Sequence, residues 1–150
     1  MAIPEMIPIR YVPGRHTGMI GRWNDGQFLG SVAAAFPQRH ALTGDRSCDA
    51  HWYTVLHTFD DAGHHIGSRI RRTGGDDDRR TATGFGRDRL ARWLGALPGL
   101  RFGDIAIRPF YIEFDDVLFG LICEFEGDEH AELYPDLLGF YEPWDGSYET

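Results

Sequence analysis

Asp104-Ile105-Ala106-Ile107-Arg108-Pro109-Phe110-Tyr111-Ile112-Glu113-Phe114-Asp115-Asp116-Val117-Leu118-Phe119-Gly120-Leu121-Ile122-Cys123-Glu124-Phe125 reads as two strands around a tight turn. Apolar and polar residues alternate at period two, which is the signature of a half-buried strand. Asp115-Asp116 occupies the turn, where aspartates belong for backbone reasons. Phe119, Leu121, Cys123 and Phe125 share one face and are expected in the core, with Cys123 packing as a small hydrophobe. One irregularity interrupts the pattern. Ile105 and Ile107 hold one parity, and Phe110, Ile112 and Phe114 hold the other. Pro109 stands at that phase change, which predicts a bulge or an edge strand.

The rest of the chain follows the same alphabet. Met19–Trp23 and Gln27–Phe36 flank Asn24-Asp25-Gly26, a hairpin turn signal. Phe28, Gly30, Val32, Ala34 and Phe36 fall on one face, and the small residues among them predict close packing of a helix above. A loop is expected over 37–50. His51–Phe59 is apolar on both faces, with Tyr53, Val55 and Phe59 opposite Trp52 and Leu56, which marks a central strand. Asp61-Ala62-Gly63 turns the chain back into His64–Arg72. Gly74-Gly75-Asp76-Asp77-Asp78 predicts a solvated loop, and Gly84 and Gly86 lead into a helix over about 85–97. In that helix Leu90, Trp93, Leu94 and Leu97 recur at helical spacing, and Pro98-Gly99 ends it. The expected fold is therefore α+β: an antiparallel sheet of five or six strands built from hairpins, with one main helix packed on one face. Residues 1–150 make a single domain, large enough to bury about 70% of its unfolded surface.

Charge divides the chain unevenly. Residues 1–103 carry fourteen arginines against ten acids, a net of +4, whereas residues 104–150 carry Arg108 against thirteen acids, a net of −12. The overall charge is −8, and every basic residue except histidine is arginine. Such a surface repels phosphate backbones, so direct nucleic-acid binding is not expected, despite the local run of Arg69, Arg71, Arg72, Arg79 and Arg80. Residues 1–10 lack the charged start and apolar run of a signal peptide, and no stretch approaches a membrane span. Cys48 and Cys123 are too few for a disulfide framework. A cytoplasmic location follows as the expectation.

Motifs for catalysis are sparse. His57 and His65 fall diagonally on one face with His51 in phase, but no spacing typical of zinc ligands is present, and surface histidines are the simpler expectation. Glu113, Asp115, Asp116 and Glu124 cluster around the last hairpin, where a solvated surface explains them. Neither a nucleophile elbow nor a complete phosphate loop occurs. No catalytic, metal-ligating or cofactor-binding residue is assigned. The aromatic tail is different: Phe140, Tyr141, Trp144 and Tyr148 stand among Glu142, Asp145 and Glu149, a composition suited to a basic partner or to capping the sheet.

Four stretches carry a resemblance: Trp23-Asn24-Asp25-Gly26-Gln27-Phe28, Trp52-Tyr53-Thr54-Val55-Leu56-His57, Gly103-Asp104-Ile105-Ala106-Ile107-Arg108-Pro109-Phe110 and Glu142-Pro143-Trp144-Asp145-Gly146-Ser147-Tyr148. Together they resemble small actinobacterial proteins labelled formate hydrogenlyase regulatory protein, over most of the chain. That resemblance implies a small cytoplasmic protein that regulates through protein contacts, without catalysis and without a DNA-binding motif.

The expected function is a non-enzymatic regulatory or protein-binding domain with a basic protein partner. Its contact residues are expected to be Glu124, Glu126, Asp128, Glu129, Tyr141, Trp144 and Tyr148. Two alternatives stand beside it. One is an immunity protein that covers a basic toxin site, which a neighbouring toxin gene would select. The other is a hydrolytic or metal-dependent enzyme built on His57, His65, Glu113 and Glu124. An exposed edge strand would also allow homodimerisation across a two-fold axis.

Overall fold

The computed structural model describes residues 3–36, 50–75 and 79–150. Most of the expected loop over 37–50, including Cys48, and the aspartates 76–78 lie outside these residues.

Eleven strands and one helix follow one another among the described residues: β1 (Ile7–Ile9), β2 (Ile20–Trp23), β3 (Gly26–Ala35), β4 (His51–Phe59), β5 (His65–Gly75), α1 (Arg79–Gly95), β6 (Arg101–Phe102), β7 (Ile105–Ile107), β8 (Phe110–Phe114), β9 (Val117–Glu124), β10 (His130–Tyr134) and β11 (Leu138–Phe140). The expected α+β class holds, with a five-stranded antiparallel sheet in the order β5-β4-β3-β2-β6. A second, four-stranded antiparallel sheet runs β11-β10-β9-β8, and β1 pairs with β7 as a separate ribbon. Among the described residues no helix is long and apolar enough to cross a membrane.

Three layers result. The helix covers one face of the five-stranded sheet, where Phe28, Leu56, Leu90, Trp93 and Leu94 form a buried cluster. The other face meets the four-stranded sheet through Tyr53, Val55, Val117 and Phe119. A larger cluster joins Ile7, Leu29, Phe59 and Ile107 to Leu121 and Phe140. This explains why β4 is apolar on both sides: one face packs on the helix and the other on the second sheet. Tyr53, wholly buried, ties the layers by donating its hydroxyl hydrogen to Asp115 Oδ2 at 2.8 Å. Burial, and then that bond to Asp115, hold the phenol well above its ordinary range.

The quoted stretch corrects three expectations. Residues 104–114 are not one arm of a hairpin. At Arg108-Pro109 the chain leaves the ribbon and enters the second sheet, so β7 and β8 have different partners. Arg108 N–H donates to Gly63 O at 2.9 Å at that crossing, and Pro109 has no N–H to give. The phase change therefore marks a switch of sheets rather than a bulge, while the other expectation, an edge strand, holds, since β8 is the edge of the second sheet. Phe125 lies past the end of β9 and is 69% exposed, outside the core. Cys123 is half-buried against the large cluster, and burial raises its thiol above the usual value. The turn itself behaves as expected, with Asp115 and Asp116 at φ 54° and 62°, the left-handed pair that a two-residue hairpin turn requires.

The helix begins at Arg79, several residues before the expected start. Ala82 and Gly86 continue its buried stripe toward the N-terminus, but they are too small to register as hydrophobic periodicity. Gly84 and Gly86 thus lie inside the helix rather than before it. They also differ from each other. A Cβ on Gly86 would come within 2.9 Å of Val32 Cγ1, whereas one on Gly84 meets nothing within 4 Å. Gly84→Ala is expected to stabilise by about 0.5–1 kcal/mol through helix propensity. Gly86→Ala should destabilise by about 1 kcal/mol, since the clash with a stiff β-branched side chain outweighs the same gain. Urea denaturation of both variants checks the pair; a shared sign would show that Val32 yields.

Candidate functional site

Alternation along the second sheet decides which side chains face out. Leu121, Ala131, Leu133, Leu138 and Phe140 point into the core cluster. Their neighbours in sequence, and so on the opposite face, are Ile122, Glu124, His130, Glu132, Tyr134 and Tyr141. Register places Glu132 beside Ile122 and His130 beside Glu124. Tyr111 and Glu113 extend the face onto β8, opposite Gly120 and Leu118. Tyr111 and Glu113 are exposed, and Ile122, Glu124, His130, Glu132, Tyr134 and Tyr141 are half-buried.

Its polar groups are arranged rather than scattered. Tyr134 donates to Glu132 Oε2 at 3.0 Å. Its phenol is pushed up by burial, by that bond, and by the negative charges of Glu132 and Glu124. Tyr141 stacks on His130 with ring centroids 4.6 Å apart at 16°, and His130 Nδ1 lies 2.8 Å from Asp128 O. Residues 110–142 hold ten carboxylates and neither arginine nor lysine. Four large apolar side chains of that segment are exposed: Tyr111 at 69%, Phe114 at 40%, Phe125 at 69% and Leu137 at 52%. Aromatic rings set among carboxylates offer apolar contact area and negative charge together.

The structure divides the seven residues expected from sequence. Glu124 and Tyr141 lie on the outer face. Glu126, Asp128 and Glu129 sit exposed in the β9–β10 connection, beside Phe125. Trp144 and Tyr148 instead pack half-buried against the core cluster. Gly139 and Glu149 exchange backbone hydrogen bonds of 2.7 and 2.9 Å, and Arg10 N–H reaches Gly146 O at 3.0 Å, so the tail closes the fold. Sequence reading missed Tyr111, Leu118, Ile122, Glu132 and Tyr134. Their signal was the polar parity of each strand, which passes for an ordinary solvated face.

The histidines required a correction. His57 is buried, 1% exposed, and is not a surface residue. Its Nδ1 lies 2.6 Å from Ser68 Oγ, and His65 Nε2 lies 2.8 Å from the same oxygen. Both rings pack on Phe110, at 4.8 and 4.6 Å. A serine between two imidazoles invites a nucleophile–base reading. Burial, however, lowers the His57 pKa to about 3, with His65 adding to the fall, which leaves a weak base. Neither histidine bonds a carboxylate among the described residues. Glu113 and Glu124 stand on the outer face of the second sheet, whereas His57 and His65 pack on Phe110 of its inner face. Glu113 pairs with Leu118, six residues along β9 from Glu124, roughly 20 Å at strand rise. These four side chains do not converge. Among the described residues no three His, Cys, Asp or Glu side chains group as a metal site.

No protein-family model matches the chain, and neither a curated protein nor a solved structure is significantly similar to it.

Proposed function

We propose that this chain is a protein-binding regulatory domain without catalysis of its own, which engages a basic partner through the outer face of the second sheet and the adjoining acidic loop. The observation that carries this reading is the composition of the outer face: Tyr111, Leu118, Ile122, Tyr134 and Tyr141 form an aromatic and aliphatic centre, and Glu113, Glu124 and Glu132 stand among them. Antiparallel sheets with a solvated face usually present polar side chains there. Rigid rings bordered by like-signed charge supply contact area and electrostatic steering together. Phe125, exposed beside Glu124 and Glu126, adds an anchor at the rim. The resemblance to small regulatory proteins that act through protein contacts supports the same reading.

Charge reversal tests it. Glu124→Lys combined with Glu132→Lys alters outward positions and should leave the fold intact. Host-cell proteins captured on the immobilised wild-type chain should include a basic partner that is released by raised salt and lost on the double variant. Hydrogen exchange of the complex should show protection across β8–β10. A partner retained equally by the variant, or protection confined to the helix side, would sink the proposal.

A further inference from the structure

The helix side of the molecule carries a cleft of about 1110 Å³ whose charge is opposite to that of the sheet face. It opens just before β2 begins. β2 pairs with β3 only as far as Leu29, and the Gly30 N–H reaches Met19 O at 2.8 Å just beyond. From there the edge of β3 forms the floor, through Gly30, Ser31 and Val32. Residues 14–19 make one wall. The other is a helical stripe, Arg80, Thr83, Arg87 and Leu90, whose spacing puts all four on one face. Trp52 and Tyr148 add two half-buried rings.

The arginines are the informative part. Arg15, Arg80 and Arg87 line this cleft with His16, against Asp136 and the backbone carboxylate of Thr150. Elsewhere Arg10, Arg22 and Arg108 stand within 3.9, 3.7 and 3.6 Å of Asp145, Asp61 and Glu5, whereas Arg69, Arg71, Arg72, Arg89, Arg92 and Arg101 are scattered outside the cleft without an ion pair among the described residues. Arg15, Arg80 and Arg87 have no carboxylate partner among the described residues. Three guanidiniums gathered round one cleft, with no ion-pair partner among the described residues, can take an anion supplied from outside. The adjacent rings and the Met19, Val32 and Leu90 side chains offer apolar contact, which bare phosphate cannot use.

We infer that this cleft binds a small anion carrying a flat ring, the chemistry of a mononucleotide, with the arginines on the anionic end and Trp52 or Tyr148 against the ring. The site is independent of the protein-binding face. The test is calorimetric titration with AMP, adenosine and inorganic phosphate, on the wild-type chain, on Arg80→Gln/Arg87→Gln and on Trp52→Leu, each first verified as folded by thermal melting. AMP should bind more tightly than either fragment. The double arginine variant should lose about tenfold or more in AMP affinity, as expected for charged hydrogen bonds. Trp52→Leu should weaken AMP while leaving phosphate unchanged. Phosphate binding as tightly as AMP would overturn the assignment of a ring. No heat with AMP at millimolar concentration would overturn the site. Self-association abolished by the arginine variant, in the absence of AMP binding, would instead give the cleft to the acidic face of a second copy.

Discussion

Gln27→Leu is expected to lower the unfolding free energy by about 3–5 kcal/mol, most of the stability of a marginal domain. Gln27 is wholly buried at the start of β3. Its amide donates to Asp60 O at 3.1 Å and to Ala106 O at 2.9 Å, and its Oε1 accepts from the Ala106 N–H at 2.8 Å. One side chain thus stands in for a missing strand pairing, joining the five-stranded sheet to the middle of β7. Leucine matches the volume but leaves an amide hydrogen and two carbonyls without that partner, and each buried orphan costs about 1–3 kcal/mol. Ile105 and Ile107, which flank Ala106, are buried in the large cluster, so loosening β7 also loosens core packing. Urea denaturation measures the loss, and amide exchange over Ile105–Ile107 locates it. A change below about 1 kcal/mol would mean that water replaces the glutamine and that the ribbon is held by burial alone.

Gln27 also shows where the sequence stops being legible. Strands that alternate over several residues, β3, β4, β8 and β9, were readable because one buried face imposes period two. The double-sided β4 even announced a layer on each side, although only the helix was expected there. The second sheet escaped notice because β10 and β11 are short, and acidic residues or turns border them. Nothing local says that Pro109 moves the chain between sheets, since a proline at a phase change fits a bulge equally well. A buried glutamine bonded to residues far along the chain has no local signature at all. The helix start was hidden for a different reason: Ala82 and Gly86 are buried by close approach, not by bulk.

The candidate site was half readable. Charge segregation pointed to the second sheet and its loop, and Glu124 and Tyr141 lie half-buried on the outer face of that sheet. Trp144 and Tyr148 were attractive for the same aromatic character that lets them close the fold, and composition cannot separate those jobs. Phe125 was misplaced because parity continues on paper past the end of β9, whereas the core does not. The arginine cleft draws on residues 15, 80 and 87, which only tertiary structure brings to one place.

Acid should unfold this protein earlier than its carboxylates alone would dictate, and His57 is the reason. Its folded pKa is about 3, against about 6.5 in an unfolded chain. The unfolded state therefore takes up a proton that the fold refuses. Stability from this group is complete above the unfolded value and falls as pH drops from about 6.5 toward 3, by up to about 1.4 kcal/mol per pH unit. Near pH 5 the loss from His57 alone is about 2 kcal/mol. His65, half-buried beside it and lowered mainly by burial, acts in the same direction with a smaller weight. Asp136, raised by burial, acts in the opposite direction and offsets part of the loss at lower pH. Comparison with His57→Gln isolates the histidine: glutamine can still bond Ser68 but does not titrate. Wild-type stability, measured by urea denaturation from neutral pH down to about 5, should fall about 2 kcal/mol further than that of the variant. Parallel curves would show that the imidazole is protonated within the fold, and that its packing against Phe110 and Ser68 tolerates the charge.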